Sequence, residues 1–343
     1  MNSSVPAYKI IPPGCDVYAF MGGRLHQPSP IAQAVLIFII IIHFITFPFT
    51  AVLNALVMLA VKLKPRLRAH KSNILIALLA STDLVVGFVA QPAFIAVIIT
   101  LLLDETSSGS CVLQVFTRAA SSCLMDASLI HLALISGERY LAMKHSFAFI
   151  TLVTEGRLLV ASALGWLLSV ILHVLLALDK TVFFPANNTV IGLSVAFIVF
   201  CHVTVYRETR RHEQQLAAQQ VTQGAREQFE NNKKALKLTS IILAAIILCY
   251  IPLVISRTVL LTYQSEISLE TVYITLISVV SMTFLNSLLN PIIYCIRIRQ
   301  FRVALIELIC RTVNIVEAEE IEMRVFGGSN NVVSAEQPSA VSP

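Results

Sequence analysis

Asp83 stands in the apolar stretch "LASTDLVVG", 12 residues beyond Lys71. At 1.5 Å per helical residue its carboxyl lies ~18 Å from that cation, near the middle of a hydrocarbon slab. Ser128 precedes Arg139 by 11 residues and reaches a similar depth, ~16 Å. Asn286, Ser287 and Asn290 fall within about a turn of one another in "LNSLLNPIIYCI", and Pro291 follows them, where it removes a backbone hydrogen bond and bends a helix. One acid with hydroxyl and amide oxygens at matched depth suits a small hard cation that keeps some of its waters, with Asp83 and Ser128 as the expected metal ligands. The same residues also suit plain helix–helix hydrogen bonding, which is common in membranes. A second constellation is the adjacent acid and base Glu138–Arg139 in "LISGERYLAMKH", at the end of a long apolar run. A charge-assisted pair at such a boundary can be a two-state element, or an ordinary pair snorkelling to the interface.

Residues placed this way need elements that cross lipid. The chain has 343 residues, 56% hydrophobic and 13% charged. A soluble domain carries about 25% charged residues, and its apolar runs are broken by polar faces. Here apolar segments reach the ~20 residues that cross a bilayer core. The composition predicts an all-α integral membrane protein with seven spans, over Ile31–Val61, Ser72–Leu101, Val112–Ala142, Leu158–Leu178, Val190–Tyr206, Ala235–Leu261 and Leu269–Ile296. The fifth is the shortest. No internal repeat stands out, which argues against a transporter built from duplicated halves.

Orientation follows from the basic residues. With the N-terminus outside, 20 of the 25 Lys and Arg fall in the inner loops and the tail. The net charge of +5 is therefore a topology signal, and no nucleic-acid partner is implied. Residues 1–30 form the outer segment, without a secretory signal, and 31–296 the bundle. Residues 297–312 are expected to form an amphipathic juxtamembrane helix, and 313–343 a disordered cytoplasmic tail. Two glycosylation sequons, at Asn2 and Asn187, fall on the outer side.

"GERY" at the end of the third span, "LNALV" in the first, "LASTDLVVG" in the second, Trp166 in the fourth, "CYIP" in the sixth and "NPIIY" in the seventh form an ordered set. In this order and spacing, from Phe44 to Cys310, the chain resembles the rhodopsin-like (class A) G-protein-coupled receptors, with a faint likeness to their adenosine and amine branches. The resemblance implies a plasma-membrane receptor, not an enzyme. It would couple an outer small-molecule ligand to an inner heterotrimeric G protein, with membrane lipids, arrestin and a receptor kinase as further partners. It implies that Glu138 restrains Arg139 at rest, with Tyr140 and Tyr294 nearby, and that outward movement of the sixth helix exposes the arginine. Lys233 and Lys234 would face the G protein or anionic lipid. It places Asn54, Asp83, Ser128, Asn286, Ser287 and Asn290 in a sodium-and-water site, the sodium ion being an allosteric ligand and no other cofactor being implied. Cys249, Tyr250 and Pro252 fall at the sixth-helix kink, and Cys310 becomes a palmitoylation site.

Departures from the family bear on ligand and mechanism. Tyr250 stands where the family has tryptophan, and Ser194 and His202 stand for the usual proline and tyrosine of the fifth helix. The family's outer disulfide joins the third helix to the second outer loop, yet residues 179–189 hold no cysteine. Cys111 is three residues early, and Cys15 is the other outer cysteine. A Cys15–Cys111 bridge is expected, two free thiols being the alternative. Asn232 replaces the acid that sometimes locks Arg139 from the sixth helix, which leaves open an appreciable basal activity. Phe284 replaces the lysine that holds retinal, and Ser121 the aspartate that holds amines. Arg118 and Arg257 instead point to a small anionic ligand, or else pair with the outer acids Asp104, Glu105, Glu266 or Glu270. Gln91, Phe94, Asp126 and Met282 join Ser121 and Phe284 as pocket candidates on spacing. The competing readings are a constitutively active or chemosensory receptor, and a seven-span transporter or channel using Asp83 and Asp126.

Overall fold

The computed structural model describes residues 28–104, 107–178, 180–218, 244–260, 262–263, 266–310 and 315–326. Nearly all of these are helical, with no strand among the described residues. Six helices are long and apolar enough to cross a membrane: Pro30–Leu63, Ser72–Leu102, Gly109–Lys144, Glu155–Val174, Pro185–Arg211 and Leu269–Ile296. The shorter apolar helix Ala244–Leu260 stands at the sixth position. Asn2, Cys15, Glu105, Asn232, Lys233 and Lys234 lie outside the described residues.

Large apolar side chains are exposed where water would penalise them. Phe38, Phe44 and Phe49 stand out on the first span, and Leu164, Leu167 and Ile171 on the fourth. Such a surface is stable only against lipid tails. The buried apolar residues form two main clusters. The one towards Glu138 and Arg139, the inner side by the expected orientation, joins Val57, Leu75, Leu79, Leu129, Leu132, Tyr250, Tyr294 and Phe301. The outer one joins Leu36, Val86, Phe94, Ile98, Leu124, Tyr273 and Phe284. Asp83 lies in sequence between Leu79 of the first and Val86 of the second, so a polar layer divides the two cores.

The second span is irregular where it matters. Residues Val86–Ala90 form a π-turn, in which Gln91 N–H donates to Val86 O. Eight residues of ideal helix would put Gln91 about 80° away from Asp83, whereas a π-turn absorbs one residue and returns it to within roughly 20°. Gln91 therefore faces the interior, where it is fully buried. Gly87, inside this turn, lets the first span approach closely. A Cβ built there would stand 2.7 Å from the Ala51 backbone nitrogen.

Two expectations need correction. The fifth helix runs from Lys180 to Ala218, so it begins well before Val190. Its first turns carry Lys180, Asn187, Asn188 and Thr189, whose polarity hides a helix from a hydropathy reading. The tail is helical over Ile315–Phe326, where disorder was expected. Ala318 is fully buried there as this helix packs on the juxtamembrane helix Arg299–Ile309, and its run of glutamates masked the amphipathic spacing. The juxtamembrane helix itself conforms. Phe301 and Ala304 are fully buried, Glu307 pairs with Lys64 and with Arg66 at 2.7 Å, and Cys310 ends it in an exposed position.

The close approach at Gly87 is testable. Its neighbour is backbone and cannot rotate away, so Gly87→Ala should cost about 1–3 kcal/mol and lower the melting temperature of the purified protein. Gly165→Ala meets only the Ile130 side chain, also at 2.7 Å, and should cost less.

Candidate functional site

The third helix, Ser108–Lys144, carries polar residues that reach most of its neighbours. Ser128 Oγ donates to Asp83 Oδ1 at 3.2 Å. Ser287 Oγ donates to the same oxygen at 2.7 Å, and Asn290 Nδ2 donates to Asp83 Oδ2 at 2.8 Å. Asp83 is fully buried, so these three donors replace the water it has lost. Asn54 Nδ2 donates to the carbonyls of Thr50 and Ser287, which ties the first helix to the seventh. Both side-chain heteroatoms of Asn286, together with Asn54 Oδ1 and the Tyr294 hydroxyl, are buried without a protein partner. Five of the six residues expected at the ion site are thus joined by direct contacts, and Asn286 adjoins Ser287 in the chain.

A cation fits this donor set. A serine hydroxyl can give its proton to Asp83 and still turn a lone pair to a metal ion, and the unpartnered amide oxygens are hard donors of the kind sodium takes.

One step outward, Tyr250 is 1% exposed, and its hydroxyl donates to the Met125 carbonyl at 3.2 Å. A tryptophan there could not place an O–H on that carbonyl. Thr283 Oγ1 donates to Met125 Sδ at 3.3 Å. Cys249 is buried and Pro252 half-buried on the same turns.

In the outer half, Asp126 and Asn187 are both buried. Asn187 Nδ2 donates to Asp126 Oδ2 at 2.5 Å, and Arg257 Nη1 donates to Asn187 Oδ1 at 2.8 Å. Asp126 attracts Arg257 electrostatically, and Arg118 repels it. Arg257 therefore answers to an inner acid through an amide, not to the outer acids. Glu270 accepts from Ser29 instead, at 2.9 Å from the backbone and 2.5 Å from the hydroxyl. The glycosylation expected at Asn187 is corrected by this geometry. The nitrogen that a glycan would occupy is buried and bonded to Asp126. Ser121 is buried, whereas Met282 is 46% exposed. Cys111 is disulfide-bonded. Cys123, Cys201, Cys249, Cys295 and Cys310 are free.

Sequence reasoning missed His43. It is fully buried on the first helix, between Gln91 and Ser281. Gln91 Nε2 can only donate, so His43 Nδ1 accepts at 3.1 Å and Nε2–H donates to Ser281 Oγ at 2.5 Å. The ring stands edge-on to Phe94 and Phe284, so Phe284 serves this aromatic cluster. The signal was available, since any ionisable side chain in a span is a candidate. His131 belongs to the same class. Its Nδ1 donates to the Ala127 carbonyl and its Nε2 pairs with Ser162 Oγ on the fourth helix, both at 2.7 Å.

At the inner end, Arg139 Nε stands 3.4 Å from Glu138 Oε2, and Ser72 Oγ donates to Glu138 Oε1 at 2.8 Å. Glu138 is 3% exposed in its side chain and Arg139 35%, so the acid is buried while the base is partly exposed. Tyr140 packs on Phe200 of the fifth helix, and Tyr294 on Phe301.

The family described as "7 transmembrane receptor (rhodopsin family)" matches this chain over residues 53–190 and 181–294. Among curated proteins, the chain is 23% identical over 280 residues to adenosine receptor A3 of Ovis aries, covering 73% of this chain and 82% of that one. It is 23% identical over 322 residues to 5-hydroxytryptamine receptor 1D of Canis lupus familiaris, covering 74% and 84%. It is 24% identical over 275 residues to cannabinoid receptor 2 of Mus musculus, covering 74% and 76%.

Burial of Asn187 predicts that Asn187→Gln leaves electrophoretic mobility and sensitivity to endoglycosidase unchanged. A shift to faster mobility on that substitution alone would show a glycan at Asn187 and a different outer end of the fifth helix.

Proposed function

The chain belongs to the rhodopsin family of seven-transmembrane receptors, and on that premise we propose that it transmits an extracellular ligand signal to a heterotrimeric G protein. The observation that carries this reading is the inner switch, with Glu138 anchored by Ser72 and Arg139 half-exposed beside it. A pair held on one side only has two arrangements. Arg139 either stays against Glu138, or turns into the cleft left when the sixth helix swings out. Ligand contacts in the outer half bias that equilibrium only through different affinities for the two states.

The N-terminus lies outside in this proposal, at the plasma membrane. Cys111 pairs with Cys15, a glycan sits on Asn2, and a palmitoyl chain on Cys310 anchors the juxtamembrane helix. Lys233 and Lys234 meet G protein or anionic lipid, and arrestin and a receptor kinase act on the same inner face. The ligand carries an anionic group, held by Arg257 and Arg118. Asp83, Ser128, Asn54, Asn286, Ser287 and Asn290 would hold a sodium ion, whose charge would balance the buried carboxylate in the resting packing.

Three measurements check this reading. Arg139→Ala should reduce G-protein activation to background in cells while the protein still reaches the surface. Retention of full signalling would refute the receptor mechanism. Ser72→Ala removes the 2.8 Å anchor of Glu138 and should raise basal activation by up to about tenfold, the factor that about 1.4 kcal/mol of bias gives. Sodium, compared with N-methylglucamine at equal ionic strength, should raise the melting temperature of the purified wild-type protein. Asp83→Asn should erase that difference, and an equal sodium effect in both proteins would remove the ion from the site.

A further inference from the structure

Asp126, Asn187 and Arg257 come from the third, fifth and sixth spans and form an acid–amide–base chain that neither the Arg139 switch nor the Asp83 cluster uses. Its acid and amide are 3% and 1% exposed. The carboxylate and the guanidinium attract each other, yet the Asn187 amide joins them. A carboxamide can do so because one end donates N–H and the other accepts through C=O.

Whatever takes the place of that amide must do the same. It must give a donor to Asp126 and an acceptor to Arg257, spaced as the two ends of an amide are. A ligand that only accepts leaves the buried carboxylate without its donor, and one that only donates leaves the guanidinium without its acceptor. Either omission is costly away from water. An ammonium and a carboxylate on one carbon satisfy both ends. They also turn two hydrogen bonds to a neutral amide into pairs between opposite charges, which are stronger.

We propose that this site takes a small zwitterion of the α-amino-acid type, its ammonium on Asp126 and its carboxylate on Arg257, in the place the Asn187 amide now holds. This rests on the reading of the chain as a ligand-gated receptor, and it names the ligand's chemical class. Arg118 lies within electrostatic reach of Arg257 and adds positive charge at the carboxylate end. Asn187 is placed to withdraw. Pro185, two residues before it inside the same helix, lacks the N–H that would hold that turn to the one before. The exchange would be felt at the sixth-span kink, because Asp126 adjoins Met125, whose carbonyl accepts from Tyr250.

The test uses full-length purified protein in lipid nanodiscs and reads the melting temperature, which needs no G protein. The probes are three matched sets, each an amino acid with its des-amino acid and its decarboxylated amine. They are phenylalanine with 3-phenylpropanoate and 2-phenylethylamine, leucine with 4-methylpentanoate and 3-methylbutylamine, and alanine with propanoate and ethylamine. In at least one set the amino acid should raise the melting temperature, and neither analogue should match it at equal concentration. Asp126→Asn should cancel the advantage of that amino acid over its des-amino analogue, and Arg257→Gln its advantage over the amine. Each substitution should weaken binding by roughly 10- to 100-fold. Asn187→Ala removes the internal competitor and should preserve or tighten binding.

A des-amino acid that stabilises as well as its amino acid overturns the zwitterion and leaves an anion-binding receptor standing. An amine that does so, or no shift from any probe at millimolar concentration, overturns the proposal outright. The receptor reading fails by a separate result, full signalling by Arg139→Ala. Should Asp126→Asn not fold, the ranking of the probes on the wild-type protein decides alone.

Discussion

A carboxylate at mid-membrane depth has no water to turn to, so its partners must come from the protein. Asp83 obtains three of them from two other helices, Ser128 on the third and Ser287 and Asn290 on the seventh. That requirement sets the rotation and depth of the second, third and seventh spans together. A helix turned by one residue would take its donor about 100° around the axis and strand the acid. The first span is added through Asn54 on the Ser287 carbonyl and, further out, through His43 on Ser281. Apolar packing supplies the area on either side, but Leu and Ile pack almost equally well against lipid and set no register.

Two apolar clusters lie on either side of a polar layer. Close-packed apolar groups resist deformation, whereas hydrogen bonds can exchange partners with little change in number. The atoms needed for such exchange are in place. Asn286, Asn54 Oδ1 and the Tyr294 hydroxyl are buried without protein partners beside groups that have them. Such atoms are costly in one fixed structure and useful in a structure with two.

Much of this was legible in the sequence because lipid imposes strong rules. The first, second and seventh spans start and stop within two residues of the expected limits; depth matched Asp83 with Ser128, and the family resemblance added Asn54 and the seventh-helix residues. What was hidden was polar residues doing interior work in the outer half. Asn187 sits in a sequon and next to Asn188, so it reads as loop, yet it is 1% exposed and bridges an acid and a base. Gln91 was a pocket candidate on spacing, but its partner His43 was not legible, and the π-turn at Val86–Ala90 that turns Gln91 inward has no signal in the periodicity. The tail helix was hidden by its glutamates, and the partners of Glu307 lie far away in the chain, at Lys64 and Arg66. Periodicity and depth report which face is buried. They do not report who waits on the other side.

Polar side chains join the spans to different extents. Among the described residues, the third span is tied to the second by Ser128 on Asp83 and by Ser72 on Glu138, and to the fourth by His131 on Ser162. All three are side-chain pairs, and the two that end on carboxylates are worth more than the ~1 kcal/mol of a neutral pair. The sixth span meets the third through the Tyr250 hydroxyl, which donates to the Met125 carbonyl at 3.2 Å and also bonds with Ser128, and indirectly from Arg257 through Asn187 to Asp126. Pro252 lies between these two points and weakens the helix's own backbone ladder there. Tyrosine in place of tryptophan at position 250 ties the sixth span to the third through a hydroxyl that an indole ring lacks.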